Sequence, residues 1–176
     1  MSLRITGNGE EIALLPTLPW NQPLEEWPED TSLAAQRGIS RHIVRLVRAT
    51  PDSDSEIFAV KETLAEFAHR EYEALRELGL RGAPSVAQVA VVDGRTDDEG
   101  NELPCAIVTR FLPFSLPYRV VLSGTVTSHE VLNMANALAY LLVRLHLLGF
   151  WWGDCSLSHA LFRRDADGFA AYLVDA

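Results

Sequence analysis

One helical segment interrupts a series of strand-like runs, and this arrangement constrains the fold more than any other feature of the sequence. From residue 63 to residue 79, apolar residues recur at the spacing of an α-helix, and Gly79 is expected to cap its C-terminus. The neighbouring runs are short and rich in β-branched residues, which is typical of strands. They cover residues 38–48, 56–61, 86–92 and 105–109. Strand pairs with one inserted helix predict an α+β fold built on an antiparallel sheet.

An acidic residue lies within the apolar stripe of that helix. The stripe consists of Leu64, Phe67, Ala68, Leu75 and Leu78. At about 100° per residue, Glu71 falls between Phe67 and Leu75. An unpaired buried carboxylate is strongly unfavourable, so we expect a cationic partner such as a lysine on a neighbouring strand. Lys61 is the candidate, and Glu66 is a weaker alternative to Glu71 as its partner.

The second half of the chain predicts one long buried helix followed by a short hairpin. Residues 128–146 are apolar on nearly every side, and Ser128 is the expected N-cap. The apolar stretch 131–152 contains two asparagines, an arginine and a histidine, so a buried helix is favoured over a membrane span. The hairpin strands are expected at residues 160–163 and 170–174.

The first 33 residues predict an irregular N-terminal arm. They are rich in proline and acidic residues and show neither a helical nor a strand repeat. Trp20 and Trp27 are expected to pack onto the body of the protein.

Charge and cysteine content exclude several classes of function. Fifteen Lys and Arg against 24 Asp and Glu give a net charge of −9, so nucleic acid is not expected as a partner. Cys105 and Cys155 lie far apart and lack the spacing of a zinc site or a disulfide framework. The N-terminus does not resemble a secretory signal, and we expect a cytoplasmic protein.

Three short motifs, in this order, resemble the nucleotide site of protein-kinase-like proteins. They are Ala59-Val60-Lys61, His69-Arg70-Glu71 and Trp152-Gly153-Asp154. The resemblance is to the branch of lipopolysaccharide kinases and aminoglycoside phosphotransferases. The block from Trp152 to Ser158 is similar, more narrowly, to actinobacterial lipopolysaccharide-kinase-like proteins. The resemblance to kinase-like proteins implies an N-lobe of antiparallel strands and one helix, a hinge, and the beginning of a helical C-lobe.

The resemblance assigns nucleotide-binding roles to residues in the first part of the chain. Lys61 would bind the ATP phosphates and Glu71 would hold Lys61 by an ion pair. Gly38 and Ser40 stand where a glycine-rich loop would cover the phosphates, although the repeated glycines of that loop are missing. The hinge positions would contact the adenine and are Thr109, Phe111 and Leu112.

The catalytic and metal-binding roles fall near the end of the chain. Asp154 would act on the proton of an acceptor hydroxyl. Asp175 would hold Mg²⁺, with Mn²⁺ as an alternative ion. His159 occupies the place of a metal-binding asparagine, and a neutral imidazole is a poor ligand for Mg²⁺. The resemblance also implies that the chain stops where a larger helical lobe would begin.

Several interpretations remain open at the level of sequence. The first is an ATP-dependent phosphotransferase with a hydroxyl acceptor, for which a saccharide is one candidate. The second is a pseudokinase-type module that binds a nucleotide or a protein without catalysis, and the third is a purely structural α+β interaction domain. The expected segments are an arm at residues 1–33, an N-lobe with hinge at 34–112, and the start of a C-lobe at 113–176.

Overall fold

A computed structural model describes residues 2–28, 32–33, 43–48, 57–124, 127–166 and 168–176, with backbone only for residues 32 and 33. The chain forms two compact units. The first consists of Met1–Glu73 and Ala87–Phe111, and the second of Ala74–Val86 and Leu112–Ala176.

The first unit is built on a six-stranded antiparallel sheet. Its strands are β1 (Arg4–Gly7), β2 (Ser32–Leu33), β3 (Val44–Arg48), β4 (Ile57–Thr63), β5 (Gln88–Asp93) and β6 (Cys105–Arg110). The order across the sheet is β1-β5-β6-β4-β3-β2. The pairs β3–β4 and β5–β6, both antiparallel, confirm the strand pairs expected from the sequence. Sheet and helix together confirm the predicted α+β fold class.

The N-terminal segment is more regular than predicted. Strand β1 pairs with β5 along its whole length, and 3₁₀ helices follow at Glu10–Thr17 and Leu24–Glu26. Gly7 is required in β1, since a Cβ there would lie only 2.2 Å from the Val89 carbonyl oxygen. The two tryptophans are buried as expected. They join a core with Leu15, Leu24, Val47, Phe58, Val60, Val89 and Val108.

The single long helix of the first half is α1 (Ala65–Leu80). It ends one residue after Gly79, so the expected cap at that residue is wrong. The amide of Ala83 donates to the Leu78 carbonyl, and that of Gly82 donates to the Gly79 carbonyl. This pair of bonds is a Schellman motif, and Gly82 supplies the positive φ of 67° that the motif needs.

The second unit contains the C-terminal part of α1, two further α-helices and a small antiparallel sheet. Its further elements are β7 (Ser115–Pro117), α2 (Tyr118–Val121), α3 (Ser128–Leu147), β8 (Ala160–Asp165) and β9 (Gly168–Leu173). The sheet order is β7-β8-β9, and α3 packs against β9. The predicted hairpin at residues 160–174 is confirmed. Strand β7 has no counterpart among the strands expected from the sequence.

The N-cap and the burial of α3 differ from expectation. Thr127, not Ser128, is the N-cap. Its side chain accepts from the Glu130 amide, and the Glu130 carboxylate accepts from the Thr127 amide, which completes a capping box. Only one face of α3 is buried, at Met134, Ala137, Leu141 and Leu145. The other face exposes Val131, Leu132, Tyr140, Val143 and Leu147. Across the residues that the structure describes, no helix combines the length and the apolarity needed to cross a membrane.

Candidate functional site

The first unit contains a buried ion pair between β4 and α1. Lys61 Nζ lies 2.5 Å from Glu71 Oε2, and the two side chains are 15% and 6% exposed. Lys61 is also the only lysine in the sequence. Because an isolated buried carboxylate is strongly disfavoured, the pair explains how the acid is accommodated inside the fold.

Helical phase places Glu71 toward the sheet. The buried face of α1 comprises Ala68, Glu71, Tyr72, Leu75 and Leu78. Leu64 and Phe67, expected in the same stripe, are instead exposed. Leu64 precedes the helix, and Phe67 lies at the margin of its buried face. Glu66 is exposed as well, so the weaker alternative for the partner of Lys61 is wrong.

Lys61 occupies an interior strand of the sheet. In β4 it lies opposite Val44 of β3 and Ile107 of β6. Backbone pairing on both sides fixes the position of the Lys61 backbone, and the ion pair then fixes the direction of its side chain. This arrangement holds a cation at a defined place, as phosphate binding requires.

The predicted hinge residues follow the end of β6. Thr109 is buried in β6 and lies opposite Ala59 of β4. Phe111 is half-buried, and its amide donates to the Ile57 carbonyl at 2.9 Å. Leu112, which begins the second segment of the second unit, is also half-buried. Their role toward an adenine remains a prediction. Gly38 and Ser40 lie outside the described residues.

The second unit brings together Asp154, His159 and Asp175. Asp154 lies in a turn, His159 ends the 3₁₀ helix Leu157–His159, and Asp175 follows β9 by two residues. The Val174 amide donates to the His159 carbonyl at 3.0 Å, which ties the two segments together. Their roles in catalysis and metal binding remain predictions.

His159 lies between the two carboxylates. Its Nδ1 is 3.8 Å from Asp154 Oδ2, and its Nε2 is 3.8 Å from Asp175 Oδ2. Nδ1 is also 3.0 Å from the Asp154 carbonyl oxygen. A carbonyl oxygen only accepts, so Nδ1 carries a hydrogen, and the lone pair of the neutral imidazole is on Nε2.

The two carboxylates differ in exposure. The Asp154 side chain is 93% exposed, whereas that of Asp175 is 36% exposed. Asp154 is therefore open to an approaching acceptor molecule.

The donor set near Asp175 fits Mg²⁺ only in part. Mg²⁺ in nucleotide sites takes one or two carboxylates together with phosphate oxygens, and Asp175 supplies one carboxylate. The nitrogen of His159 does not suit this hard cation. Within the described ranges, no group of three His, Cys, Asp or Glu side chains could hold a metal ion. An ion here would need further ligands from a bound molecule.

Sequence reasoning missed a buried arginine that anchors the N-terminal segment. Arg95 has a fully buried side chain, and its guanidinium donates to Glu62 Oε1 at 2.8 Å. It also donates to the carbonyl oxygens of Trp20, Gln22 and Pro104. Arg95 stands in a polar loop sequence, where nothing in the local pattern indicates burial.

A second missed cluster surrounds Asp93 at the end of β5. His69 Nε2 lies 3.0 Å from Asp93 Oδ2, Arg4 donates to the same oxygen at 3.2 Å, and Cys105 Sγ donates to Oδ1 at 3.3 Å. The pKa of Asp93 is lowered overall. Partial burial by itself would raise this pKa, but the contacts with Cys105, His69 and Arg4 together have the larger effect. Burial, reinforced by Asp93, raises the pKa of Cys105 to about 12, so this thiol is not an activated nucleophile.

Comparison with known proteins shows the fold. The chain is similar to the solved structure of WaaP in complex with acyl carrier protein, with a TM-score of 0.54 and 18% sequence identity. The alignment covers 98% of this chain and 70% of the WaaP chain. No protein-family model and no curated protein sequence matches. The similarity, together with the antiparallel sheet and its helix, shows a kinase-like fold. At this level of identity it shows nothing beyond the fold.

Proposed function

We propose that this chain is a kinase-like phosphotransferase that moves the γ-phosphoryl group of ATP to a hydroxyl acceptor. The observation that carries the proposal is the ion pair between Lys61 and Glu71, formed by the only lysine of the chain within a kinase-like fold. Phosphoryl transfer depends mainly on positioning and charge neutralisation, and a fixed cation beside the phosphates supplies both.

Each candidate residue has a defined role in the proposed reaction. Lys61 neutralises the ATP phosphates and Glu71 orients Lys61. The acceptor oxygen forms a bond to the γ-phosphorus, the bond from that phosphorus to the β–γ bridging oxygen breaks, and ADP leaves. Asp154 takes the proton of the acceptor hydroxyl, which its exposed position favours. Asp175 contributes a carboxylate to a divalent cation, which when bound neutralises phosphate charge.

The remaining sequence assignments belong to the same proposal. Gly38 and Ser40 would cover the phosphates, while Thr109, Phe111 and Leu112 would line the adenine. Segment 34–112 would act as the nucleotide-binding lobe with its hinge, and segment 113–176 would carry the catalytic loop. Residues 1–33 would serve as an arm on the nucleotide-binding lobe.

The wider assignments concern family, acceptor and location. The lipopolysaccharide-kinase branch, a saccharide acceptor and a bacterial cytoplasm with an ATP supply are part of the proposal. The net charge of −9 supports a small-molecule acceptor over nucleic acid.

The unique lysine permits a sharp test of the nucleotide site. An acyl-phosphate derivative of ATP transfers its acyl group to a lysine amine beside the bound phosphates: an amide forms at Nζ, the acyl–phosphate bond breaks, and ATP leaves. We expect mass spectrometry to find the label on Lys61, with protection by excess ATP and Mg²⁺ or Mn²⁺. Glu71→Gln should reduce the labelling, because Lys61 loses the partner that orients it.

An acyl phosphate without the nucleotide is the control reagent. It should label Lys61 no better than it labels the N-terminal amine. Equal labelling by the two reagents, or labelling that excess ATP leaves unchanged, would contradict the proposed site.

A second candidate function is a module that binds nucleotide without transferring phosphate. His159 at the position of a metal-binding asparagine favours it, because one oxygen ligand for Mg²⁺ is lost there. ATP-protected labelling of Lys61 without any formation of ADP, either in water alone or with saccharides and other hydroxyl compounds added, would support this candidate over the enzyme.

A further inference from the structure

We propose that His159 Nε2 and the Asp175 carboxylate form a divalent-cation site that favours first-row transition ions over Mg²⁺. The inference rests on the proposed function, since the other ligands of the ion would be phosphate oxygens of the bound nucleotide. Mn²⁺ is the probe for this class of ions.

The orientation of His159 is the first observation behind this site. Its Nδ1–H donates to the Asp154 carbonyl at 3.0 Å, so the lone pair of the neutral ring is on Nε2. Metal-binding histidines commonly donate their other ring N–H to a carbonyl or carboxylate, which fixes the tautomer. The hydrogen bond already present at His159 therefore prepares Nε2 to accept a cation.

The position of Asp175 is the second observation. Nε2 and Asp175 Oδ2 are 3.8 Å apart. Metal–nitrogen and metal–oxygen bonds are each about 2.0–2.2 Å long, so one ion can reach both atoms. The His159 side chain is 24% exposed, so the pair is not sealed from ligands in solution.

The chemistry of the pair then decides which ion is preferred. Mg²⁺ selects oxygen ligands and releases its waters reluctantly, whereas imidazole nitrogen binds first-row transition ions well. An asparagine at residue 159 would offer an amide oxygen instead. The histidine therefore shifts the preference away from Mg²⁺ without removing the capacity to bind a cation.

Electron spin echo envelope modulation of bound Mn²⁺ tests the site directly. The samples are the full chain with Mn²⁺ alone and with Mn²⁺ plus a non-hydrolysable ATP analogue. We expect a nitrogen coupling from His159 that is present in the wild type and lost in His159→Asn. Adenine nitrogens bound to Mn²⁺ would persist in that variant. His129→Asn, on the N-terminal turn of α3, is the matched control and should keep the signal.

Metal preference provides a second readout. Calorimetric titrations with Mn²⁺ and Mg²⁺ in the presence of the analogue give the ratio of the two affinities. We expect His159→Asn to lower the preference for Mn²⁺ by about tenfold or more. Asp175→Asn should weaken binding of both ions, since it removes the shared carboxylate. Circular dichroism of each variant establishes that it is folded.

The outcomes separate this inference from the proposed function. If the analogue and Mn²⁺ bind but show no nitrogen coupling that His159→Asn removes, the metal site is overturned and the nucleotide site is not. The same holds if the ratio of the Mn²⁺ and Mg²⁺ affinities is equal in the wild type and in His159→Asn. A His159 coupling with Mn²⁺ alone and no binding of the analogue would support the metal pair and overturn the nucleotide role. Absence of both would overturn both.

Discussion

Glu71 and Asp154 are both carboxylates, but the fold gives them different surroundings. Glu71 is buried on the inner face of α1 and is neutralised by Lys61 at 2.5 Å. Asp154 lies in an exposed turn, where its backbone carbonyl accepts from His159 Nδ1 and its carboxylate lies 3.8 Å from the same nitrogen. One acid is suited to position a cation, and the other to meet a substrate. Replacing the exposed acid should therefore change chemistry without changing stability.

Asp154→Asn should abolish phosphate transfer while leaving the fold intact. Under the proposed mechanism the variant lacks the base, so we expect the formation of ADP from ATP to slow by about 10²- to 10⁴-fold. Its free energy of unfolding should change by less than about 0.5 kcal/mol, because the side chain is exposed. ADP formation and urea denaturation measure the two effects. Asp165→Asn, an exposed acid at the end of β8, is the control; equal activity of both variants would remove Asp154 from the mechanism.

The partner of Lys61 was predictable because helical phase alone places Glu71 in an apolar stripe. The clusters at Arg95 and Asp93 were not, because their partners come from distant segments. Arg95 donates to carbonyl groups of Trp20 and Gln22, and Asp93 is contacted by side chains of β1, α1 and β6. A local sequence pattern carries no information on such contacts.

At the scale of elements, regular repeats predicted α1, α3 and the main strand pairs. Strands β1 and β7 were missed since four and three residues are too few to show an alternating pattern, and pairing with β5 and β8 defines them. The predicted N-cap of α3 was wrong by one residue, because Thr127 and Ser128 are both good N-cap residues. Glu130 decides between them, as it stands three residues after Thr127.

Arg95 links the N-terminal 3₁₀ helices to the sheet, and its removal should destabilise the first unit. Arg95→Met would leave Glu62 buried without its cationic partner and three carbonyl groups without a donor. We expect a loss of about 3–5 kcal/mol in the free energy of unfolding, measured by urea denaturation. Arg45→Met is the matched control, since Arg45 donates to the Leu24 and Glu25 carbonyls from a less buried site. Similar losses in both variants would show that burial of Arg95 is not the cause.

Asp93 joins β1, α1 and β6 to β5, and this junction should depend on pH. Its pKa is lowered in the folded protein, so its contribution to stability is complete above the unfolded pKa of about 3.9. That contribution is lost as pH falls through the lower folded pKa. Asp93→Asn should be less stable than the wild type by about 1–3 kcal/mol near pH 7.

Urea denaturation of both proteins between pH 7 and pH 3 provides the measurement. The difference between them should shrink below about pH 4, where the wild-type carboxylate takes up a proton. Asp98→Asn, in the exposed β5–β6 loop, is the control and should show no such convergence. A constant difference between wild type and Asp93→Asn over the whole range would show that charge on Asp93 does not stabilise the junction.

At the scale of the whole molecule, the net charge of −9 opposes the binding of an anion such as ATP. The proposed binding of ATP must therefore depend on local positive charge, from Lys61 and from a divalent cation. The proposed function therefore predicts that ATP stabilises the folded chain only when a metal ion is present.

Thermal unfolding with ATP should show this dependence. A ligand that binds only the native state at about 100 times its Kd adds about 2.7 kcal/mol, which raises Tm by about 5–10 °C for a chain of this size. We expect that shift with Mn²⁺ or Mg²⁺ and none with a chelator. Lys61→Met should lose it, whereas Arg70→Met, an exposed cation on α1, should keep it. Because Lys61→Met removes the cation beside the buried Glu71, the double variant Lys61→Met/Glu71→Leu supplies a second background in which the shift should also be absent. A metal-dependent shift that survives in the double variant would place nucleotide binding elsewhere and remove Lys61 from the site.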